Sequence, residues 1–162
     1  MSKPSGTGGT PATVALHAAG VAHVVHQFEH DPANRNFGME AADAIGADPD
    51  RVFKTLVTVV DGGHAVAIVP VTTMLSLKAV AAALGAKRAE MCDPAVAERL
   101  TGYVVGGISP IGQKRLLPTV IDETCVLWDT VFVSGGRRGM DIELAPDDLV
   151  RLLAAVVAPI TA

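Results

Sequence analysis

The chain has 162 residues, of which 49% are hydrophobic, 19% charged and only 4% aromatic, and its net charge is −4. This composition excludes a disordered chain and points to one compact domain whose core is built from Ala, Val, Leu and Ile. The acidic balance argues against a general nucleic-acid coat, so no DNA partner is expected, while leaving room for a local basic patch. Cys92 and Cys125 have no C-x-x-C partner, which fits a reduced, cytoplasmic setting better than a disulfide framework. No leader opens the chain, and no apolar run reaches the ~20 residues that a bilayer span needs, so no membrane partner is expected.

Residues 1–9, MSKPSGTGG, are small and polar and are expected to form a disordered tail ahead of a single domain over 10–162. Thr10-Pro11 reads as a helix N-cap and first helical position, with Gly20 as the stop. The next stretch contains His26-Gln27-Phe28-Glu29-His30, an H-x-x-E-H string of the kind that holds zinc on a helix. Val21, Val24, Val25 and Phe28, closed by Asp31-Pro32, favour a strand instead. On a strand Glu29 points away from both histidines, so no metal site is expected.

A loop ending at Asn36-Phe37 leads to a short helix expected over 39–45, and Asp48-Pro49 starts a turn. Val52–Asp61 reads as a long strand, joined by a turn at Gly62-Gly63 to a second strand over 64–71. Ser76 caps an Ala-rich helix over 77–84, and Asp93-Pro94 starts another that runs to Leu100. Residues 103–105 read as a short strand before the Gly-rich loop GGISPIG. Strands follow over 118–121, 130–133 and 140–144, and Pro146 opens a C-terminal helix whose apolar run extends to Ile160. The order of hairpins and helices implies a mixed α/β fold, not a regular parallel βαβ array.

Lys54 is the most informative single residue, because it lies in a run apolar on both faces. Its ammonium must reach water, pair with an anion or lose its proton more easily, since burying it unpaired costs several kcal/mol. Two readings stay open: a strand-end lysine in water, or a cation fixed at the floor of an anion site. Thr55 faces the other way by strand alternation. Gly106-Gly107-Ile108-Ser109-Pro110-Ile111-Gly112 satisfies neither the P-loop, which needs Lys where Gln113 stands, nor the nucleophile elbow, which needs Gly where Ile111 stands. It is either a structural turn or a source of exposed N–H groups for an oxyanion.

Ser134-Gly135-Gly136-Arg137-Arg138-Gly139 is a hairpin turn or an anion nest. Asp141 and Glu143 then share one strand face, either as paired carboxylates or as a solvated face. The dibasic pairs Lys87-Arg88, Lys114-Arg115 and Arg137-Arg138 would form a phosphate-tracking patch if they converged. No nucleophile–base pair is evident, and both cysteines read as small core residues.

Taken together, FEHDP (28–32), NFG (36–38), VFKTL (52–56), TGYVVGGISPIGQKR (101–115) and VSGGRRGMDIEL (133–144) resemble the YbaK-type family of free-standing aminoacyl-tRNA deacylases. These are similar to the editing domain inserted in some prolyl-tRNA synthetases. The resemblance runs in order from Thr10 to the C-terminus. It implies a barrel-like mixed β-sheet surrounded by helices, no cofactor, and hydrolysis of mischarged Cys-tRNA(Pro) in transient complex with prolyl-tRNA synthetase. It maps the family's key lysine onto Lys54, with Thr55 beside it, and the pocket aromatics onto Phe28 and Phe37. It maps the remaining substrate contacts onto Gly106, Gly107, Ile108, Ser109, Pro110, Ser134, Gly136 and Asp141. Some members carry Tyr where this chain has Phe28, so only packing is left for that position.

The resemblance also explains the missing nucleophile. The substrate's own cysteine thiol attacks its ester carbonyl, so the protein has only to hold the reacting atoms and stabilise the oxyanion. The alternatives are a deacylase for alanyl- or seryl-tRNA, or a non-catalytic module docking on tRNA or a synthetase.

Overall fold

Helix α1 (Pro11–Ala19) begins where the Thr10 hydroxyl accepts the Thr13 N–H, in a computed structural model that describes residues 9–162. Of the expected tail 1–9, all but Gly9 lies outside the described residues. Strand β1 (Val24–Gln27) follows, and the H-x-x-E-H string therefore sits on a strand and the loop after it. Helix α2 (Phe37–Ile45) starts two residues earlier than expected because the Asn36 side chain accepts the Met39 N–H and caps it.

Strands β2 (Phe53–Val60) and β3 (Gly63–Pro70) form an antiparallel hairpin in full register, Phe53 opposite Pro70 and Val60 opposite Gly63. The turn is Asp61-Gly62, one residue earlier than expected. Both residues have positive φ, 47° and 82°, the pair of left-handed conformations that a two-residue hairpin turn of right-handed twist requires. The Asp61 carboxylate also accepts the backbone N–H groups of Lys87 and Arg88.

Helix α3 (Leu77–Ala83) is capped by Ser76, and a strand that sequence patterning passes over, β4 (Ala89–Met91), pairs with the end of β2. Helix α4 (Pro94–Thr101) follows. Residues 103–105 are not a strand; Tyr103 N–H bonds to the Thr101 hydroxyl and the chain bends straight into the Gly-rich loop. β5 (Thr119–Asp122), β6 (Val131–Arg137), β7 (Met140–Leu144) and α5 (Pro146–Leu153) complete the order, with two differences. β6 runs past the expected end at 133 through a bulge to Arg137, which leaves only Arg138-Gly139 for the turn, and the end of the chain departs from a helix. The last helix stops at Leu153 and gives way to β8 (Val156–Ala158), parallel to β5.

The strands form two sheets, ordered β1-β7-β6 and β4-β2-β3-β5-β8. Among the described residues a single bridge, Val52 to Phe132, joins them, so the barrel-like wrap stays open. β3 occupies the middle of the larger sheet and is buried on both faces. Val66 and Ile68 face a core shared with α1, α5 and the smaller sheet, whereas Ala67 and Val69 face α3. β2 is one strand from the edge, which leaves its first half free to line a cavity at the seam between the sheets.

Candidate active site

A cavity of about 360 Å³ opens at that seam, within the size range of small-ligand sites. Its wall is drawn from the NFG block (Asn36, Phe37, Gly38), the VFKTL block (Val52 to Leu56), the Gly loop (Val105, Gly106, Ile108) and the last hairpin (Ser134, Asp141). Residues separated by some hundred positions thus meet at one place. Exposed Arg35 and Asn36 mark one rim, and exposed Met91 and Pro94 mark another.

Lys54 lies half-buried on this wall and its Nζ donates to the Thr73 carbonyl at 3.0 Å. Burial lowers its pKa, and one hydrogen bond leaves two of the ammonium's three donors available. The cation is therefore fixed by protein and still has capacity for a ligand. Thr55 also contributes to the wall although it alternates with Lys54 along β2, and its buried hydroxyl has no hydrogen-bond partner among the described residues.

Asp141 is only 7% exposed and lines the same cavity. No described side chain or backbone group bonds its carboxyl, and burial raises its pKa to about 7. Glu143, two residues on, has a different fate. The Thr130 hydroxyl donates to it at 2.5 Å, His26 meets it at 2.9 Å, and Arg51 lies beside it. The Thr130 hydrogen bond, then His26 and Arg51, outweigh burial and lower its pKa. The two carboxylates are not a catalytic pair: one faces the cavity and the other is built into a structural network.

Gly106 approaches Phe37 so closely that a Cβ there would lie 2.7 Å from the ring, and its φ is +88°. Only glycine suits both conditions. Within the loop, Gly107 N–H is committed to the Val104 carbonyl and Ile111 N–H to the Ser109 hydroxyl. The N–H groups of Gly106 and Ile108, both on the cavity wall, have no acceptor among the described residues. Those two are the loop's usable donors. Tyr103 holds the loop in place: its hydroxyl donates to the Ile111 carbonyl at 2.7 Å and its ring abuts Gly136.

Not every residue mapped from the family resemblance reaches the cavity. Gly107, Ser109 and Pro110 are buried behind it and shape the loop. Gly136 lies in the bulge of β6 against Tyr103, behind the wall. Phe28 is half-buried outside the lining, its N–H donating to the Gly139 carbonyl. His26 and His30 are each taken by a carboxylate, Glu143 and Glu40, and among the described residues no group of three His, Cys, Asp or Glu could hold a metal.

Of the dibasic pairs, only Arg137-Arg138 borders the site. Lys87-Arg88 lies beside α3, and Lys114-Arg115 follows α4. Sequence reasoning missed Arg35, Gly38 and Cys92 as part of the site. Arg35 and Gly38 adjoin the NFG block, the one available signal; a Cβ on Gly38 would lie 2.3 Å from the Val71 side chain. Cys92 lines the cavity but burial, reinforced by Asp93 and opposed by Arg99, raises its thiol pKa and keeps it a poor nucleophile.

The cavity thus brings a fixed cation and a buried carboxyl together with the Gly-rich loop. The chain belongs to the aminoacyl-tRNA editing domain family, whose match spans residues 36–152. Within that family it is of the YbaK type. It is 43% identical, over 74% of both chains, to EbsC of Enterococcus faecalis, named as a candidate Cys-tRNA(Pro)/Cys-tRNA(Cys) deacylase. A crystal structure of a candidate trans-editing enzyme for prolyl-tRNA synthetase superposes with a TM-score of 0.81 at 27% identity, covering 100% of this chain and 99% of the other. The hypothetical protein APE2540 shares the fold, with a TM-score of 0.84 at 24% identity over 94% of this chain and 99% of that one.

Proposed function

We infer that this protein is a trans-editing aminoacyl-tRNA deacylase that hydrolyses the ester of Cys-tRNA(Pro). The observation that carries this reading is one cavity built from four separated sequence blocks, with Lys54, Asp141, Gly106 and Ile108 on its wall. The similarity to EbsC supports cysteine as the amino acid.

The chemistry follows from what the wall offers. The α-ammonium of the aminoacyl group pairs with Asp141, whose carboxyl has no partner among the described residues. Lys54 donates to the ester or the terminal ribose. The substrate thiolate attacks its own carbonyl carbon, the C–S bond forms as the negative charge moves to the carbonyl oxygen, and Gly106 and Ile108 N–H receive that charge. Collapse breaks the C–O bond to the ribose, whose oxygen takes up a proton, and leaves a strained thiolactone for water to open. Holding thiol and carbonyl in a near-attack geometry supplies the rate. Seryl-tRNA is then a poor substrate, because a hydroxyl is a far weaker nucleophile. A pocket that reads the amino acid does not read the tRNA body, so selection of tRNA(Pro) falls to a transient complex with prolyl-tRNA synthetase. Translation places such a protein in the cytoplasm, and no described helix is long and apolar enough to cross a membrane.

The test is deacylation of Cys-, Ala- and Pro-tRNA(Pro) by wild type and Lys54→Ala. Cys-tRNA(Pro) alone should be cleaved, and the variant should lose at least about a hundredfold while its urea midpoint does not fall, since relief of the half-buried ammonium offsets the one hydrogen bond lost. Cleavage of Ala-tRNA(Pro) instead would move the protein to the alanine specificity. No cleavage of any ester would leave a docking module.

A further inference from the structure

The cavity rim is electrostatically lopsided. Met91 and Pro94 form an apolar side, while Arg35 and Arg138 gather on the side of Phe37. The Arg35 guanidinium carbon lies 5.2 Å from the Phe37 ring centroid and that of Arg138 lies 4.9 Å from it. Arg138 is further held by its Nε donating to the Val105 carbonyl at 2.9 Å, and its terminal nitrogens have no acceptor among the described residues. Arg35 is exposed and makes no hydrogen bond or ion pair among the described residues. The carboxylates nearby are engaged elsewhere: Glu98 accepts the Val105 N–H, and Glu40 takes His30 and the Asp31 N–H. Two guanidinium groups orientated by one aromatic ring, without anionic partners, stand at the entrance of a site in a chain of net charge −4.

The geometry points to Arg35 and Arg138 as a phosphodiester clamp for the last nucleotides of the RNA that carries the ester. This assignment rests on the deacylase reading above and adds to it the residues that hold the polynucleotide. With the aminoacyl group in the cavity, the strand must leave across the rim, and the Phe37 side is the one where its phosphates meet cations. Planar guanidinium groups pre-set by stacking suit the paired oxygens of a phosphodiester better than mobile lysines do. Both arginines are positioning residues and touch no reacting atom.

The experiment compares two substrates, Cys-tRNA(Pro) and 3′-O-cysteinyl-adenosine, which has the ester and the ribose but no phosphate. Wild type, Arg35→Ala and Arg138→Ala are assayed on both, across a salt series. Each variant should lose at least about tenfold more kcat/KM on the tRNA than on the adenosine ester, as expected for a charge-assisted contact. The loss should fall mainly on KM, and the salt slope of log kcat/KM should drop by about 0.7 for each phosphate contact removed. Equal losses on both substrates would mean that the arginines act only by bracing Phe37, and would overturn the clamp. So would an unchanged salt slope. A wild type that cleaves neither ester removes the deacylase reading itself, and the clamp with it; one that cleaves both while ignoring the arginine changes removes the clamp alone.

Discussion

Asp141 concentrates the electrostatic cost of the site. Its carboxyl is buried without a partner among the described residues, and its pKa rises from 3.8 to about 7. Between those values the folded protein holds a proton that the unfolded chain has released, so unfolding free energy falls as pH rises through that window and levels off above it. The bound on the loss is about 4 kcal/mol. Asp141→Asn should match wild type in stability below about pH 4, where the native carboxyl is protonated in both states, and exceed it near pH 8, which urea melts at the two pH values will read. The same variant should lose activity at pH 8, because the carboxylate that receives the substrate ammonium is gone. A variant destabilised at both pH values would mean that the carboxyl has a structural partner. Lys54 is affected by the same cause with the opposite sign: burial lowers its pKa, so for both groups the charged form is the one disfavoured by folding. A site that keeps two such groups has stability traded for binding.

At the scale of elements, the Gly-rich loop and helix α2 work as one piece. Gly106 takes a left-handed conformation and lets the Phe37 ring at the start of α2 lie against the loop backbone. Gly106→Ala brings a methyl to 2.7 Å from that ring, so Phe37 must swing away and the Gly106 and Ile108 donors lose their aim. The expected result is a destabilisation of about 1–3 kcal/mol with a larger fall in kcat than the stability change explains. Thermal melts and single-turnover deacylation check the two halves of that statement separately. The loop's own hydrogen bonds explain why so few of its residues face substrate. Ser109 and Pro110 are buried to fix the turn, and Tyr103 ties it to the β6 bulge.

Across the whole molecule, the cavity exists because two sheets lean together at one seam and do not close. Phe132, 4% exposed, sits there opposite Val52, with the Arg51 guanidinium 5.1 Å from its ring and His26 beside it. Phe132→Ala should cost about 3–5 kcal/mol through the void it leaves. It should also slow deacylation of both tRNA and adenosine esters, because Val52 and Lys54 share a strand entrance. Equilibrium unfolding and rates on the two substrates give the readout. A stability loss with unaltered rates would show that the seam and the cavity are mechanically independent.

How much of this was legible beforehand follows from the range of the forces involved. Local signals act over a few residues, so the caps at Thr10, Ser76 and Asp93, the β2–β3 hairpin and the starts of α4 and α5 were all readable. The ordered blocks also pointed to the family and to Lys54, since a lysine in an apolar strand is anomalous whatever surrounds it. Other features depend on partners far away in sequence. β4 and β8 are three residues each and exist only because a sheet edge offers them hydrogen bonds. The continuation of the last helix failed for the same reason: β5 captures the chain after Ala154. Strand alternation set Thr55 against Lys54, yet both line one cavity because it runs along the first half of β2, where β4 does not pair with that edge. Phe28 and Ser109 match a motif, but packing places them outside the cavity lining. The residue types and local elements were determined by the sequence itself; the tertiary fold decided which side chains meet, because only packing sets the distances through which buried charge, hydrogen bonds and steric exclusion act.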